Sequence, residues 1–184
     1  MPGGTHEYLQ DPRNENVLIY INGEILPRPE AKVSVFDSGF LLGDGVWEGI
    51  RLHNDQLVFL EEHIERLYAG AAAIGMDIGM HKTDLVEKIH DTLAANDMHS
   101  DIHLRLIVSR GLKTTPYQHP KVNVGGPTVV IIPEYKIVTE ESKSNGLTLV
   151  SVTTSRAHRS VFSTTCSARA PSPRPRPVRD SPGP

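Results

Sequence analysis

The chain has 184 residues, 38% of them hydrophobic, and a formal net charge of −3, which suits one domain with a modest core or one domain with part of another. A single cysteine excludes an internal disulfide. No apolar run approaches the roughly 20 residues of a membrane span, and segment 1–16 lacks the apolar core of a targeting signal. These features predict a cytoplasmic protein that does not bind membranes.

Charge and proline content change sharply near residue 155. Residues 155–184 hold six arginines against one acidic residue, together with six of the 14 prolines. Proline has no backbone donor and fixes φ, so this composition cannot form a helix or a sheet ladder. We predict an ordered domain at 1–136, a linker with one strand at 137–154, and a disordered tail at 155–184.

Apolar runs of strand length, some of them alternating, predict six strands in the first domain. Their ranges are 17–21, 24–26, 45–53, 56–59, 102–109 and 128–132. Asn22-Gly23 is typical of a two-residue hairpin, and Asn54-Asp55 marks a second tight turn. A further strand is predicted at 147–152, after the linker.

Two helices follow from apolar residues at helical spacing. The first is predicted over 60–74, and the second begins at Thr83, a residue type favoured as an N-cap. Segment 111–127 is a long loop containing glycine and proline, and loops of this length are often functional. Together with the strands, these elements predict an α+β fold whose first domain ends near Tyr135.

Two local features can contact a ligand through the backbone or through charge. Gly43-Asp44-Gly45 is a glycine turn that allows close approach of a ligand or of another strand, although a plain turn has the same composition. Arg66 lies at the edge of the apolar stripe of the first helix, where its guanidinium can bind a phosphate through two hydrogen bonds. A surface ion pair with Glu62, one turn earlier, is the alternative for Arg66.

A third feature is a pair of polar residues on one strand. His103 and Arg105 share the strand face opposite Leu104 and Leu106, which is typical of a cleft that receives an anion but also of a solvated sheet face. The nine histidines and the single cysteine show no pairing from which we predict a metal site. Cys166 falls in the predicted tail, away from any ordered base that would activate it.

The stretch FDSGFLLGDGVWEGIR, followed by HIERLYAGA, resembles the N-terminal half of the fold-type IV pyridoxal-phosphate enzymes. This group contains branched-chain aminotransferases, D-amino-acid aminotransferases and aminodeoxychorismate lyases. The resemblance runs from about Val17 to Val152. It implies a small N-terminal α+β domain followed by a truncated second domain, pyridoxal 5'-phosphate as cofactor, amino acid and 2-oxo acid substrates, and a homo-oligomer such as a dimer.

The resemblance also implies roles for individual residues. Arg66 matches the arginine that binds the cofactor phosphate. Trp47 matches an aromatic residue that lines the substrate pocket, although a core tryptophan is an alternative reading. Arg105 falls where branched-chain members carry a substrate-facing arginine, and His103 on the same strand face is predicted to join it.

The substrate subtype stays open at this level. D-amino-acid members place an arginine and a histidine where this chain has Thr115 and Tyr117, which favours the branched-chain type. The Gly43-Asp44-Gly45 turn is closer to the D-amino-acid type.

The sequence departs from the family where catalysis is concerned. The resemblance puts the Schiff-base lysine in the C-terminal domain, yet the last lysine here is Lys143, in the polar linker. We therefore predict no catalytic residue and a chain that is inactive alone, with residues beyond about 162 an out-of-frame or alternatively spliced continuation. The alternative is a noncatalytic half-subunit that partners a full-length aminotransferase. A third reading makes the tail a weak anion binder; six arginines without interleaved aromatic residues give unspecific attraction, so no nucleic-acid partner is expected.

Overall fold

The computed structural model describes residues 11–136, which form a six-stranded antiparallel sheet with the strand order β2-β1-β6-β5-β3-β4. The strands are β1 (Leu18–Ile21), β2 (Glu24–Pro27), β3 (Gly45–His53), β4 (Gln56–Leu57), β5 (Ile102–Ser109) and β6 (Thr128–Tyr135). All six were predicted, together with the turn at Asn22-Gly23 that joins β1 to β2. The α+β prediction is confirmed.

Three α-helices and two 3₁₀ turns accompany the sheet. The helices are α1 (Ser38–Leu42), α2 (Leu60–Ala73) and α3 (Lys82–Ala95), and the 3₁₀ turns are Pro12–Asn16 and Pro120–Val122. The two longer helices were predicted, whereas α1 was expected only as part of a turn. No helix within residues 11–136 combines the length and the apolar content of a membrane span.

The core lies between one face of the sheet and the two longer helices. Helix α2 packs on β3, and α3 packs on β1 and β6. Because side chains alternate along a strand, every second residue of β5 points towards these helices, and Leu104 and Leu106 are fully buried there. Burial of one such leucine contributes about 1.5–3 kcal/mol relative to exposure.

Several boundaries differ from the prediction by one or more residues. Strand β4 ends at Leu57, because Phe59 adopts a left-handed conformation with φ 52° and directs the chain into α2. Strand β6 continues to Tyr135 and includes Pro133. Proline has no N–H to donate, and Pro133 lies beyond Val130 and Ile131, the residues of β6 that pair with β1. Helix α3 begins at Lys82 with His81 as its N-cap, so the N-cap prediction at Thr83 is wrong.

A close contact between strands explains one glycine of the predicted turn. A Cβ atom at Gly45 would lie 2.6 Å from the carbonyl oxygen of Val108 on the paired strand, a distance that no side chain tolerates. Of the readings of the Gly43-Asp44-Gly45 turn, the structure thus favours close approach to another strand at Gly45.

Several predictions lie outside the described residues. These are the linker with its strand at 147–152, the tail at 155–184, Lys143 and Cys166.

Candidate functional site

Trp47 and Arg105 lie together on the face of the sheet that points away from α2 and α3. The Cζ atom of Arg105 is 4.3 Å from the centroid of the Trp47 ring, a cation–π contact of about 0.5–1 kcal/mol at an exposed position. Trp47 is 60% exposed, so the core reading of this residue is wrong. The structure therefore presents an aromatic ring and a guanidinium side by side on what we call the open face of the sheet.

His103 lies on the same face as Arg105 and is half-buried. Burial lowers the pKa of His103 below its ordinary value, and the positive charges of Lys136, Arg105 and Arg51 lower it further. The imidazole is therefore neutral near pH 7 and can donate or accept a hydrogen bond without adding charge. The positive charges of Arg105 and Arg51 lie on this part of the open face, where Glu134, the register partner of His103, and Asp101, the partner of Arg51, offset part of them.

An apolar cavity of about 250 Å³ adjoins this pair on the open face. Its apolar walls come from β1, β5, β6 and the chain leading into α1, and they include Ile19, Ile21, Ala31, Val33, Phe40, Ile107, Val130 and Ile132. Ile107 is the register partner of Trp47, so the cavity continues directly from the aromatic ring. Ligand pockets are typically about 300–1,000 Å³, and this smaller volume suits a compact aliphatic group.

Arg66 is held by a buried carboxylate on the other face of the sheet. Its Nε donates to Oε1 of Glu48 at 2.6 Å and its Nη2 to Oε2 at 2.5 Å. His63 Nδ1 lies 2.9 Å from Oε2 of the same carboxylate. The predicted ion pair with Glu62 is therefore wrong: Glu48, on the β3 strand beneath α2, offers both of its oxygens to the guanidinium.

Glu48 and Arg66 keep their charges at neutral pH. Burial alone would raise the pKa of Glu48, but hydrogen bonds from Arg66 and His63 outweigh it and hold that pKa below its ordinary value. Glu48 in turn raises the pKa of Arg66. The ion pair fixes one edge of the guanidinium, and Nη1 makes no hydrogen bond within residues 11–136.

The free edge of Arg66 is open to solvent and can donate hydrogen bonds to an anion. The side chain is 67% exposed, and a guanidinium with a fixed orientation loses less freedom when it binds an anion. The shallow recess beside it is also lined by Glu61, Glu62 and Glu65, whose charges oppose an anion on that side. A phosphate at Arg66 would therefore meet repulsion from any of these glutamates that it approaches.

Metal ligation has no support in the part of the chain that the structure describes, where no three His, Cys, Asp or Glu side chains lie close enough to hold an ion. His99 and His103 stand four residues apart, a spacing that aligns two ligands only on a helix. Here His99 precedes β5 and bonds Asp55 and Asp97, whereas His103 is on the strand.

Two buried carboxylates were missed by the sequence analysis. Glu48 is 5% exposed and Asp37 is 2% exposed. Glu48 could have been found, because it occupies a helix-facing position of β3 between Val46 and Ile50, where an acidic residue needs a partner. Asp37 carries a weaker signal, as an aspartate just before a glycine-containing segment.

Known proteins resemble this chain over most of its length. A family model described as "Amino-transferase class IV" matches residues 45–169, which extends past Val152, where we expected the resemblance to end. Branched-chain-amino-acid aminotransferase-like protein 1 of Arabidopsis thaliana is 39% identical over 148 residues, which is 80% of this chain. D-alanine aminotransferase of Bacillus licheniformis is 33% identical over 132 residues, or 72% of this chain.

Solved structures give the same result for the fold. A branched-chain aminotransferase from the thermophilic archaeon Thermoproteus uzoniensis, crystallised with norvaline, superimposes with a TM-score of 0.55 at 27% identity, over 65% of this chain and 40% of that one. A 4-amino-4-deoxychorismate lyase from Pseudomonas aeruginosa gives 0.54 at 25% identity, over 68% and 42% of the two chains. The predicted resemblance to the fold-type IV enzymes is confirmed.

The chain spans only part of the relatives that it matches. The aligned region is 26% of the Arabidopsis protein and 46% of the Bacillus enzyme. The family model nevertheless matches more than half of the chain, and the Arabidopsis and Bacillus relatives align with 80% and 72% of it. The chain belongs to the class IV aminotransferase family.

Proposed function

We propose that this chain supplies the substrate-facing small domain of a pyridoxal-phosphate-dependent aminotransferase of the branched-chain type. Such an enzyme moves the amino group of an amino acid to a 2-oxo acid. The observation that carries the proposal is the Trp47–Arg105 pair beside an apolar cavity on the open face of the sheet.

The chemistry of the substrate supports this choice. A branched-chain amino acid has a carboxylate at one end and a compact aliphatic group at the other. Arg105 can bind the carboxylate through two parallel hydrogen bonds, and His103 can add a neutral donor. The cavity next to Trp47 takes the aliphatic group and keeps water away from it. A substrate of this class thus meets a matching group at each end.

A separate group would hold the phosphate of the cofactor. We propose that Arg66 binds the phosphate of pyridoxal phosphate through its Nη1 edge, while Glu48 and His63 keep the guanidinium in place. A solved branched-chain aminotransferase of the same fold contains pyridoxamine 5'-phosphate, which supports a cofactor of this class. When bound, it supplies an electron sink for the charge left on the substrate α-carbon. The described residues contribute binding and orientation, and fixed orientation is a large part of the rate of such reactions.

We further propose that the 184-residue stretch does not turn over alone. The resemblance puts the Schiff-base lysine in the C-terminal domain, and these 184 residues contain no lysine after Lys143. Arginine cannot replace it, because its pKa prevents the neutral form that a Schiff base requires. The open face, where Phe40 is 74% exposed, is the surface on which we expect a second domain or a second subunit to complete the site.

Trp47 allows a direct test, since it is the only tryptophan in the chain. We expect 4-methylvalerate, a carboxylate with a branched aliphatic end, to change the Trp47 emission in a saturable way, and R105A to weaken that binding by about tenfold or more. R51A is the matched control, because Arg51 lies on the same face of the sheet but already pairs with Asp101 at 3.6 Å. Equal affinities for R105A and the unchanged chain would contradict the proposal.

A parallel titration tests the phosphate site. Inorganic phosphate followed by ³¹P NMR should bind the unchanged chain and should bind R66A about tenfold more weakly. R13A is the control, since Arg13 is occupied by its neighbour Asp11. Loss of binding in R13A but not in R66A would remove Arg66 from the cofactor site.

A further inference from the structure

The buried carboxylate of Asp37 joins the open face of the sheet to the short helix α1. Asp37 is the N-cap of α1, and its Oδ1 accepts a hydrogen bond from the Gly39 N–H at 2.8 Å. Its Oδ2 accepts from Ser109 Oγ at 2.9 Å and from Thr128 Oγ1 at 2.7 Å. Donors from three elements, α1, β5 and β6, therefore meet at one side chain that is 2% exposed.

The backbone of α1 lies directly against the end of β5 beside this carboxylate. A Cβ atom at Gly39 would lie 2.8 Å from Cβ of Ser109, so α1 touches the end of β5 directly. The N–H of Ser38 donates to the carbonyl of Gly111 at 2.8 Å. The carboxylate of Asp37 adds side-chain bonds to β5 and β6, which this backbone bond does not reach.

The other end of the same segment is also anchored. Arg110 donates through Nε to Asp44 Oδ2 at 2.7 Å and through Nη2 to Oδ1 at 3.1 Å. Arg110 also donates to the carbonyls of Ile74 and Gly75, where α2 ends. The segment 37–45 is thus attached at Asp37 to the sheet and at Asp44 to α2. Between these two points it carries Phe40, which forms part of the cavity wall.

We propose that Asp37 is a positioning residue for the substrate site. Its carboxylate holds segment 37–45 against β5 and β6, which fixes Phe40 over the cavity and fixes the start of β3, on which Trp47 lies. The attachment of the segment stands on the hydrogen bonds alone. Its link to substrate binding rests on the proposed function.

Hydrogen exchange of the 184-residue chain tests the attachment. In D37A, the amides of 38–45 should exchange about tenfold faster or more, while those of α3 keep their rates, because only the local segment opens. D37N should lie between D37A and the unchanged chain. Its amide oxygen can still accept from Gly39, but its NH₂ group cannot accept from the hydroxyls of Ser109 and Thr128.

A matched control is available in the same chain. Asp77 accepts the N–H of Gly79 at 2.9 Å in an exposed turn, which repeats the Asp37–Gly39 bond without the two hydroxyl donors. D77A should leave exchange at 38–45 unchanged. Unchanged rates at 38–45 in D37A, or an equal rise in α3, would overturn the proposed role of Asp37.

Titration with 4-methylvalerate, followed by the emission of Trp47, tests the link to substrate. D37A should raise the dissociation constant about tenfold and D37N less, in the order of their exchange rates. Equal binding by D37A and the unchanged chain would overturn the positioning role even if segment 37–45 is released. If R105A binds 4-methylvalerate as tightly as the unchanged chain, the proposed function is contradicted instead. The exchange rates at 38–45 then decide by themselves whether Asp37 holds the segment.

Discussion

The two faces of the sheet use the same strands for different purposes. On the face that packs against α2 and α3, Leu104 and Leu106 of β5 are fully buried. On the open face, His103 and Arg105 of the same strand are only half-buried and carry polar groups. Neighbouring residues of a strand point to opposite faces. Adjacent residues of β5 therefore serve either the stability of this domain or its proposed chemistry.

Side chains on the helix-covered face should contribute the most to the stability of the domain. We expect L104A to lower the free energy of unfolding by about 2–5 kcal/mol, because it leaves a cavity in a fully packed site. I107A, on the open face of the same strand, should cost much less, since Ile107 is only partly buried. Urea unfolding of both variants measures the difference, and similar losses would contradict the division between the faces.

Glu48 is the exception on the helix-covered face, since it is charged. We expect E48Q to cost about 1–3 kcal/mol, because one of the two oxygens that accept from Arg66 becomes an NH₂ group, which cannot accept a hydrogen bond. The pKa of Glu48 is held below its ordinary value of 4.5, so its contribution is present above about pH 4.5 and is lost as the pH falls through the lowered pKa.

Urea unfolding of E48Q between pH 3 and 7 checks this contribution. E62Q is the control, because Glu62 was the partner expected from the sequence. A larger loss in E62Q than in E48Q would reject the assigned ion pair.

Two histidines give pH effects of opposite sign. Burial holds the pKa of His103 below its ordinary value of 6.5. The free energy of unfolding therefore falls as the pH drops from 6.5 towards the lowered pKa, because the unfolded chain binds the proton more readily. His99 has a raised pKa because of hydrogen bonds to Asp55 and Asp97. Its contribution is complete below 6.5 and is lost as the pH rises through the raised pKa.

Thermal melting of H103Q and H99Q from pH 5 to 8 measures both effects. H103Q should weaken the dependence of the melting temperature on pH below 6.5, and H99Q should weaken it above 6.5. The same slope in both variants would refute the assignment.

The smallest expected effect on stability belongs to Arg105. We expect R105A to change the free energy of unfolding by less than about 0.5–1 kcal/mol, which is the size of its cation–π contact. The same variant should show the largest loss of 4-methylvalerate binding. A loss of stability comparable to that of L104A would mean that Arg105 is a structural residue and not a ligand-binding one.

Much of the fold could be predicted because its signals are local. The period-two pattern of β5 separated Leu104 and Leu106 from His103 and Arg105, and the structure keeps that separation. Helix α1 was missed because five residues are too few to show a helical period. Its N-cap residue Asp37 also bonds Ser109 and Thr128, which are far away in the sequence.

The site was only partly predictable for the same reason. The placement of Trp47 and Arg105 on one face follows from alternation and register. The partner of Arg66 does not, because Glu62 on the same helix and Glu48 on a neighbouring strand are both within reach in sequence terms. Only the packing of α2 on β3 brings Glu48 beneath the guanidinium.

The attachment of Arg110 to the end of α2 has a consequence for the geometry of the whole domain. One end of α2 is tied to Asp44 through Arg110, and Arg66 lies two turns back along the same helix. At about 1.5 Å per residue, some 12 Å of rigid helix separate Ile74 from Arg66. This helical stretch therefore sets a fixed distance between Arg66 and the end of α2 that Arg110 ties to Asp44. A deletion of one residue within it would rotate Arg66 by about 100° away from Glu48.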